Sequence, residues 1–218
     1  MDPQPAATDA LDTPPALDEV YPFSRQELGT MLCRPLRTMD LLLGQRRRLA
    51  VNVALEHRLP SLAVVLLLTT VLFALPYAAV VDVTSLWRVP LLLLGSLAIC
   101  LPSLHVFGRF IGGSLSWMQM LCIALAATAV AALFTFAFAP ILGFLRATMT
   151  GAHVISAASM SIVLLLFSLL AGIAQLLRLL RGDTSLRGRG ASVTRVLLPW
   201  LALYVFIFCR LASVLELF

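Results

Sequence analysis

Very few residues of this chain could do chemistry in an apolar setting. His105 and Arg210 are the ionisable side chains that stand out within long apolar runs, and Gln119 and Gln175 are the amides. An ionisable group inside hydrocarbon is costly, so each such residue is a functional candidate by default. An imidazole at position 105 could carry a proton or ligate a metal. With no carboxylate near it in the sequence, the expected role is that of an interfacial hydrogen-bonding group. Arg210 lies six residues before Glu216. It is expected to snorkel to an interface or to pair with Asp82 or Glu216, as an anchor rather than an ion-coupling group. Gln119 and Gln175 are expected to hydrogen-bond across helices.

The stretch Leu101–Trp117, LPSLHVFGRFIGGSLSW, concentrates more of these groups than any other. Its Ser114 and Ser116 hydroxyls follow a Gly112-Gly113 turn, the kind of place that can present a nucleophile. GGSLS, however, is not G-x-S-x-G, and the strand–turn–helix context of a nucleophile elbow is missing. A serine–histidine pair would need His153, which the topology below places on the opposite side. No paired carboxylates, P-loop or HExxH occur, so no catalytic residues are assigned and the chain is expected not to be an enzyme. Cys33, Cys100, Cys122 and Cys209 show neither CxxC nor zinc-finger spacing. They read as small packing residues, with no disulfide framework, no metal site and no bound cofactor expected.

The elements that must position these groups are membrane helices. Sixty per cent of the residues are hydrophobic and 12% are charged, against about half and a quarter in soluble domains. The predicted fold class is all-α: an integral membrane bundle of five transmembrane helices preceded by an N-terminal cytoplasmic amphipathic helix. Five runs near 60–81, 90–108, 117–139, 155–177 and 196–216 each reach the ~20 residues that cross a bilayer core. Pro60 and Pro90 fall in first turns, where a missing N–H costs little. Pro76, Pro102 and Pro140 are expected to kink or end helices. Trp87, Trp117 and Trp200 fall at predicted span ends, as aromatic-belt residues do. Ala124, Thr128, Ala131 and Thr135 in the third run, and Ala157, Ser161 and Gly172 in the fourth, allow close backbone approach. These two runs are the expected centre of the bundle.

Basic residues set the orientation. Arg34, Arg37, Arg46, Arg47, Arg48 and Arg58 precede the first run, Arg109 follows the second, and Arg178, Arg181, Arg187, Arg189 and Arg195 follow the fourth. A cytoplasmic N-terminus and an external C-terminus put all of them inside. Residues 1–22 read as a disordered acidic tail, and no cleavable leader is expected from so acidic and Pro-rich a start. Residues 23–58 form the cytoplasmic segment and 59–218 the membrane domain. Ser24 and Glu27 make a capping box, followed by apolar residues at helical spacing with a break or kink at Pro35. This segment either lies among headgroups or packs on the cytoplasmic ends of the spans, the first being favoured. Arg46, Arg47, Arg48, Arg187 and Arg189 are the candidate contacts to anionic lipid headgroups. Without aromatic stacking residues beside these arginines, no nucleic-acid partner is expected. All sixteen basic residues are Arg, a composition typical of high-GC bacterial genomes, so the expected location is a bacterial inner membrane.

A cytoplasmic N-terminal segment followed by five spans resembles the layout of the Yip family, small membrane proteins whose eukaryotic members act in vesicle traffic. Pro102-Ser103-Leu104-His105-Val106-Phe107 and the following Gly-Gly turn are similar to a pattern in bacterial multi-span proteins of that general type. The DLYGP-like stretch of the eukaryotic members is missing, so the resemblance implies the layout and transfers no functional residue. The expected function is that of a non-enzymatic scaffold or accessory subunit, partnered by another membrane protein or by further copies of itself. A subunit of an oligomeric permease or channel is the alternative, and a lipid-modifying membrane enzyme the third reading.

Overall fold

The computed structural model describes residues 29, 35–44, 49, 52–53, 58–83, 86–110, 116–148, 154–182 and 190–215. Six helices account for most of them: α1 (Pro35–Leu43), α2 (Leu59–Val81), α3 (Arg88–Phe110), α4 (Trp117–Thr148), α5 (Val154–Gly182) and α6 (Gly190–Val214). Three are long and apolar enough to cross a membrane, namely α2, Arg88–Phe107 of α3, and α4. Met160–Gln175 of α5 and Trp200–Val214 of α6 are shorter apolar stretches. The all-helical, apolar architecture is compatible with a multi-pass membrane protein.

Pro60 occupies the first turn of α2 and Pro35 opens α1, both as local sterics favour. The helices run through Pro76, Pro102 and Pro140 instead of stopping, so α4 continues to Thr148 rather than ending near 139. In lipid the backbone has no other partner to turn to, and one lost hydrogen bond per proline is cheaper than a bare helix end. The expected capping box at Ser24 and Glu27 lies outside the described residues.

The five long helices alternate in direction. Leu59 of α2 meets Cys122 of α4 at one end, and Val80 meets Gly143 and Arg146 at the other. We call the Leu59 side the near end and the Val80 side the far end. Helix α4 is the hub, with 67% of its most apolar window buried against 44% for α2. It packs most extensively on α2 and α5 and also touches α3 and α1, while α6 leans on α3. The expected pairing of the third and fourth apolar runs is therefore present as α4 on α5, but α2 shares the centre with them. Ala74, Ala78, Ala124, Ala131 and Ala132 are buried at these seams, and Phe73 meets Phe136 edge-on at 5.4 Å. Three buried threonine hydroxyls bond within their own helices: Thr69 donates to Val65 O at 2.7 Å, Thr128 to Leu125 O at 2.9 Å and Thr135 to Ala132 O at 2.6 Å. The Tyr77 hydroxyl instead crosses from α2 to α5, where it donates to Ser161 O at 3.0 Å.

The tightest seam is that of α5 on α4 at Gly172. A Cβ there would lie 2.6 Å from Ala127 O and 3.0 Å from Ala131 Cβ. Gly172→Val is expected to destabilise the bundle by about 1–3 kcal/mol, the usual range for overpacking. Gly143→Ala is the control, because its new methyl would meet Val80 at an ordinary 3.8 Å. Unfolding of both variants in mixed micelles checks the difference, and equal stabilities would refute the close-approach account.

Candidate functional site

The polar candidates gather at the near end, around the segment that precedes α2. Thr38, Leu42, Leu49, Asn52 and Val53 are all buried. Gln119 Nε2 donates to Val53 O at 3.0 Å, and Gln175 Nε2 donates to Leu42 O at 3.3 Å. Each glutamine therefore bonds to a main-chain carbonyl of the segment that precedes α2, here called the strap, and Gln175 does so across from α5 to α1. Of the two placements open to this segment, packing against the ends of the helices describes α1, whose Leu42 side is covered by protein. Arg46, Arg47, Arg48, Arg187 and Arg189 lie outside the described residues.

Gln119 has a second task. Ser116 stands just ahead of α4, and Ser116-x-x-Gln119 forms a capping box. Gln119 Oε1 accepts from Ser116 N at 2.7 Å, and Ser116 Oγ accepts from Gln119 N at 3.3 Å. One side-chain amide thus closes the start of α4 and holds the strap. The strap joins α2 through Arg58, a non-glycine residue in the left-handed region at φ 54° and ψ 35°. That conformation costs of order 1–2 kcal/mol, and it is sustained by the packed groups on either side of it.

His105 sits near the end of α3, half-buried, with its ring edge-on to Trp117 at 4.9 Å. Its buried Nδ1 has no hydrogen-bond partner among the described residues. The ring contact joins the end of α3 to the start of α4. Arg210 is exposed on α6, one residue before Leu211, which packs against Gly95. Glu216, one of its two expected partners, lies outside the described residues. His105, Gln119 and Gln175 belong to the near end, while Arg210 lies toward the far end, so the four do not form one constellation. No cluster of three or more potential metal ligands occurs among the described residues.

Trp200 departs from its expected place in the aromatic belt. Helix α6 begins at Gly190, so Trp200 lies ten residues inside it and only 3% exposed. Its Nε1–H donates to Ser103 Oγ at 3.1 Å and to Cys100 O at 3.3 Å, and its ring stacks on Tyr204 at 5.5 Å. The Tyr204 hydroxyl pairs with that of Ser96 at 3.4 Å. Trp87 and Trp117 remain exposed, as belt residues should be. A further contact had no sequence signal beyond position. Arg146 on α4 donates to Val80 O at 2.6 Å and also to Val81 O. Helix α2 has no basic residue in its last turn, so α4 supplies the cation that satisfies those carbonyls.

Comparison of the chain with known protein families, curated proteins and solved structures gives no match.

Replacing Gln119 by Leu leaves Val53 O and Ser116 N unpaired, and about 1–3 kcal/mol is the usual cost of such a loss in buried surroundings. Gln175→Leu removes a single longer bond and should cost less. Both should speed amide exchange across 35–53, with Gln119→Leu the stronger. Unchanged exchange in both variants would mean that the strap is held by its apolar contacts alone.

Proposed function

We propose that the chain is a five-span integral protein of a bacterial inner membrane, with its N-terminus cytoplasmic and its C-terminus external. On this reading it acts as a non-enzymatic scaffold or accessory subunit for another membrane protein or for further copies of itself. The observation that carries the reading is where the polar side chains go. Tyr77, Gln119, Gln175 and Trp200 are all engaged in tying one segment of the chain to another. A permeation path or a reaction centre needs polar groups that face a substrate, whereas these face the protein's own backbone and hydroxyls.

Helices α5 and α6 supply the fourth and fifth spans in this reading, at 29 and 25 residues, against ~20 needed to cross. The arginine distribution then places the strap and the near end in the cytoplasm, next to anionic headgroups that Arg46, Arg47, Arg48, Arg187 and Arg189 would contact. The Yip-like layout belongs to the same reading. Arg146 fits it from the other side. An arginine left outside is expected to have a specific reason, and Arg146 has one in the end of α2.

Two measurements test the proposal. A reporter fused after Phe218 should be active only outside the cytoplasm, and one inserted at 183–189 only inside. Reconstituted protein should show no solute flux but should co-purify a membrane partner or itself. Flux in the wild type that vanishes in a stably accumulating His105→Ala or Arg210→Leu variant would replace the scaffold reading with a transporter.

A further inference from the structure

Among the described residues, one buried side-chain nitrogen or oxygen lacks a hydrogen-bond partner, and it is Nδ1 of His105. The ring is half-buried near the end of α3 and stands at 72° to the indole of Trp117, 4.9 Å away. A neutral imidazole tolerates this setting, because it can carry its hydrogen on Nε2 and leave Nδ1 bare. A protonated one cannot, since both nitrogens then donate. A charged donor buried without an acceptor is among the costliest groups to keep in place.

No counter-charge stands by to offset that cost. Helices α2, α4 and α6 pack on α3, and none of the four contains Asp or Glu. The two described acids lie elsewhere: Asp40 is exposed on α1, and Asp82 ends α2 at the far end. The other charged or titratable groups at this end are no better placed. Arg58 ahead of α2 and the exposed Arg109, one turn along α3, are themselves cations. On α4 the Cys122 thiol is turned to Leu59 O, and on α6 the Tyr204 hydroxyl meets Ser96. The side chain of Arg195 lies outside the described residues. We propose that His105 is a proton-sensitive latch on the start of α4. Neutral, its ring closes on Trp117; protonated, it leaves that contact for solvent and the first turn of α4 loosens. Trp117 shares that turn with the Ser116–Gln119 capping box, so the contact released is one of those that fix where α4 begins. The inference needs only the folded bundle and is independent of the scaffold role.

The test compares the full chain in mixed micelles at about pH 8 and about pH 5, the interval in which imidazoles change charge. Amide exchange is read as protection, corrected for the intrinsic effect of pH. In the wild type, protection at 116–120 should fall by about tenfold or more at the lower pH, as loss of a fold held against an unpaired buried donor implies. His105→Phe keeps a ring against Trp117 but takes no proton, and its protection should stay constant. His57 and His153 are present in both proteins, so an equal fall in both would assign the effect elsewhere and overturn the proposal. A mutation-free arm uses nuclear magnetic resonance of the wild type with labelled histidine and tryptophan. At the higher pH, His105 should be the Nε2–H tautomer, with cross-relaxation between its ring and that of Trp117; at the lower pH that cross-relaxation should vanish. A hydrogen on Nδ1 at the higher pH, unchanged protection in the wild type, or a ring contact that survives at the lower pH would each overturn the latch.

Discussion

Where Gly172 lies against the carbonyl of Ala127, two helix backbones approach as closely as a missing side chain permits. In lipid this kind of contact has to organise a bundle. Apolar side chains gain nothing by leaving lipid tails for one another, so association rests on close packing and hydrogen bonds. Helix α4 answers that demand with alanines and threonines along its length. With such short side chains on the hub, α2 and α5 can both settle on it, and the remaining structure is placed by that choice. Tyr77 can reach Ser161 because α2 and α5 flank the same helix, and Arg146 can reach the end of α2 because the two helices run parallel.

The polar side chains divide into two kinds of work. The hydroxyls of Thr69, Thr70, Thr128 and Thr135 satisfy themselves on the preceding turn of their own helix and so can be buried without a partner element. Glutamine, tyrosine and tryptophan are long enough to reach another element, and they occur at the joins: Gln119 and Gln175 at the strap, Tyr77 between α2 and α5, Trp200 between α3 and α6. Gln119 is the most constrained of them. Its oxygen is fixed by Ser116 and its nitrogen by Val53, so the start of α4 and the position of the strap are set together.

Much of the frame was legible in the sequence, because a span is a composition signal that needs no knowledge of neighbours. The helical class, the long apolar elements and the small-residue seam between α4 and α5 followed from run length and spacing. What was not legible depended on partners. Trp200 reads as a belt residue from its position in an apolar run, and only the α3 groups at Cys100 and Ser103 draw it inside. The docking of α1 could not be separated from a surface helix, because an apolar face looks the same whether protein or lipid covers it. Gln119 and Gln175 were found as candidates, but their acceptors are main-chain carbonyls, which every residue carries and no sequence marks. The left-handed turn at Arg58 had no signal at all, since neither Gly nor Asn stands there.

The attachment of α6 differs in kind from the rest of the bundle. Helix α5 is locked to α4 by the close backbone approach at Gly172, whereas α6 is held on α3 by the Trp200 N–H, the Tyr204–Ser96 hydroxyl pair and Leu211 beside Gly95. Trp200 and Tyr204 are large rings four residues apart that stack on one another along α6. Their polar atoms point toward α3, where Ser96, Cys100 and Ser103 meet them. The same two residues therefore fix α6 on α3 and satisfy their own buried polar atoms in doing so.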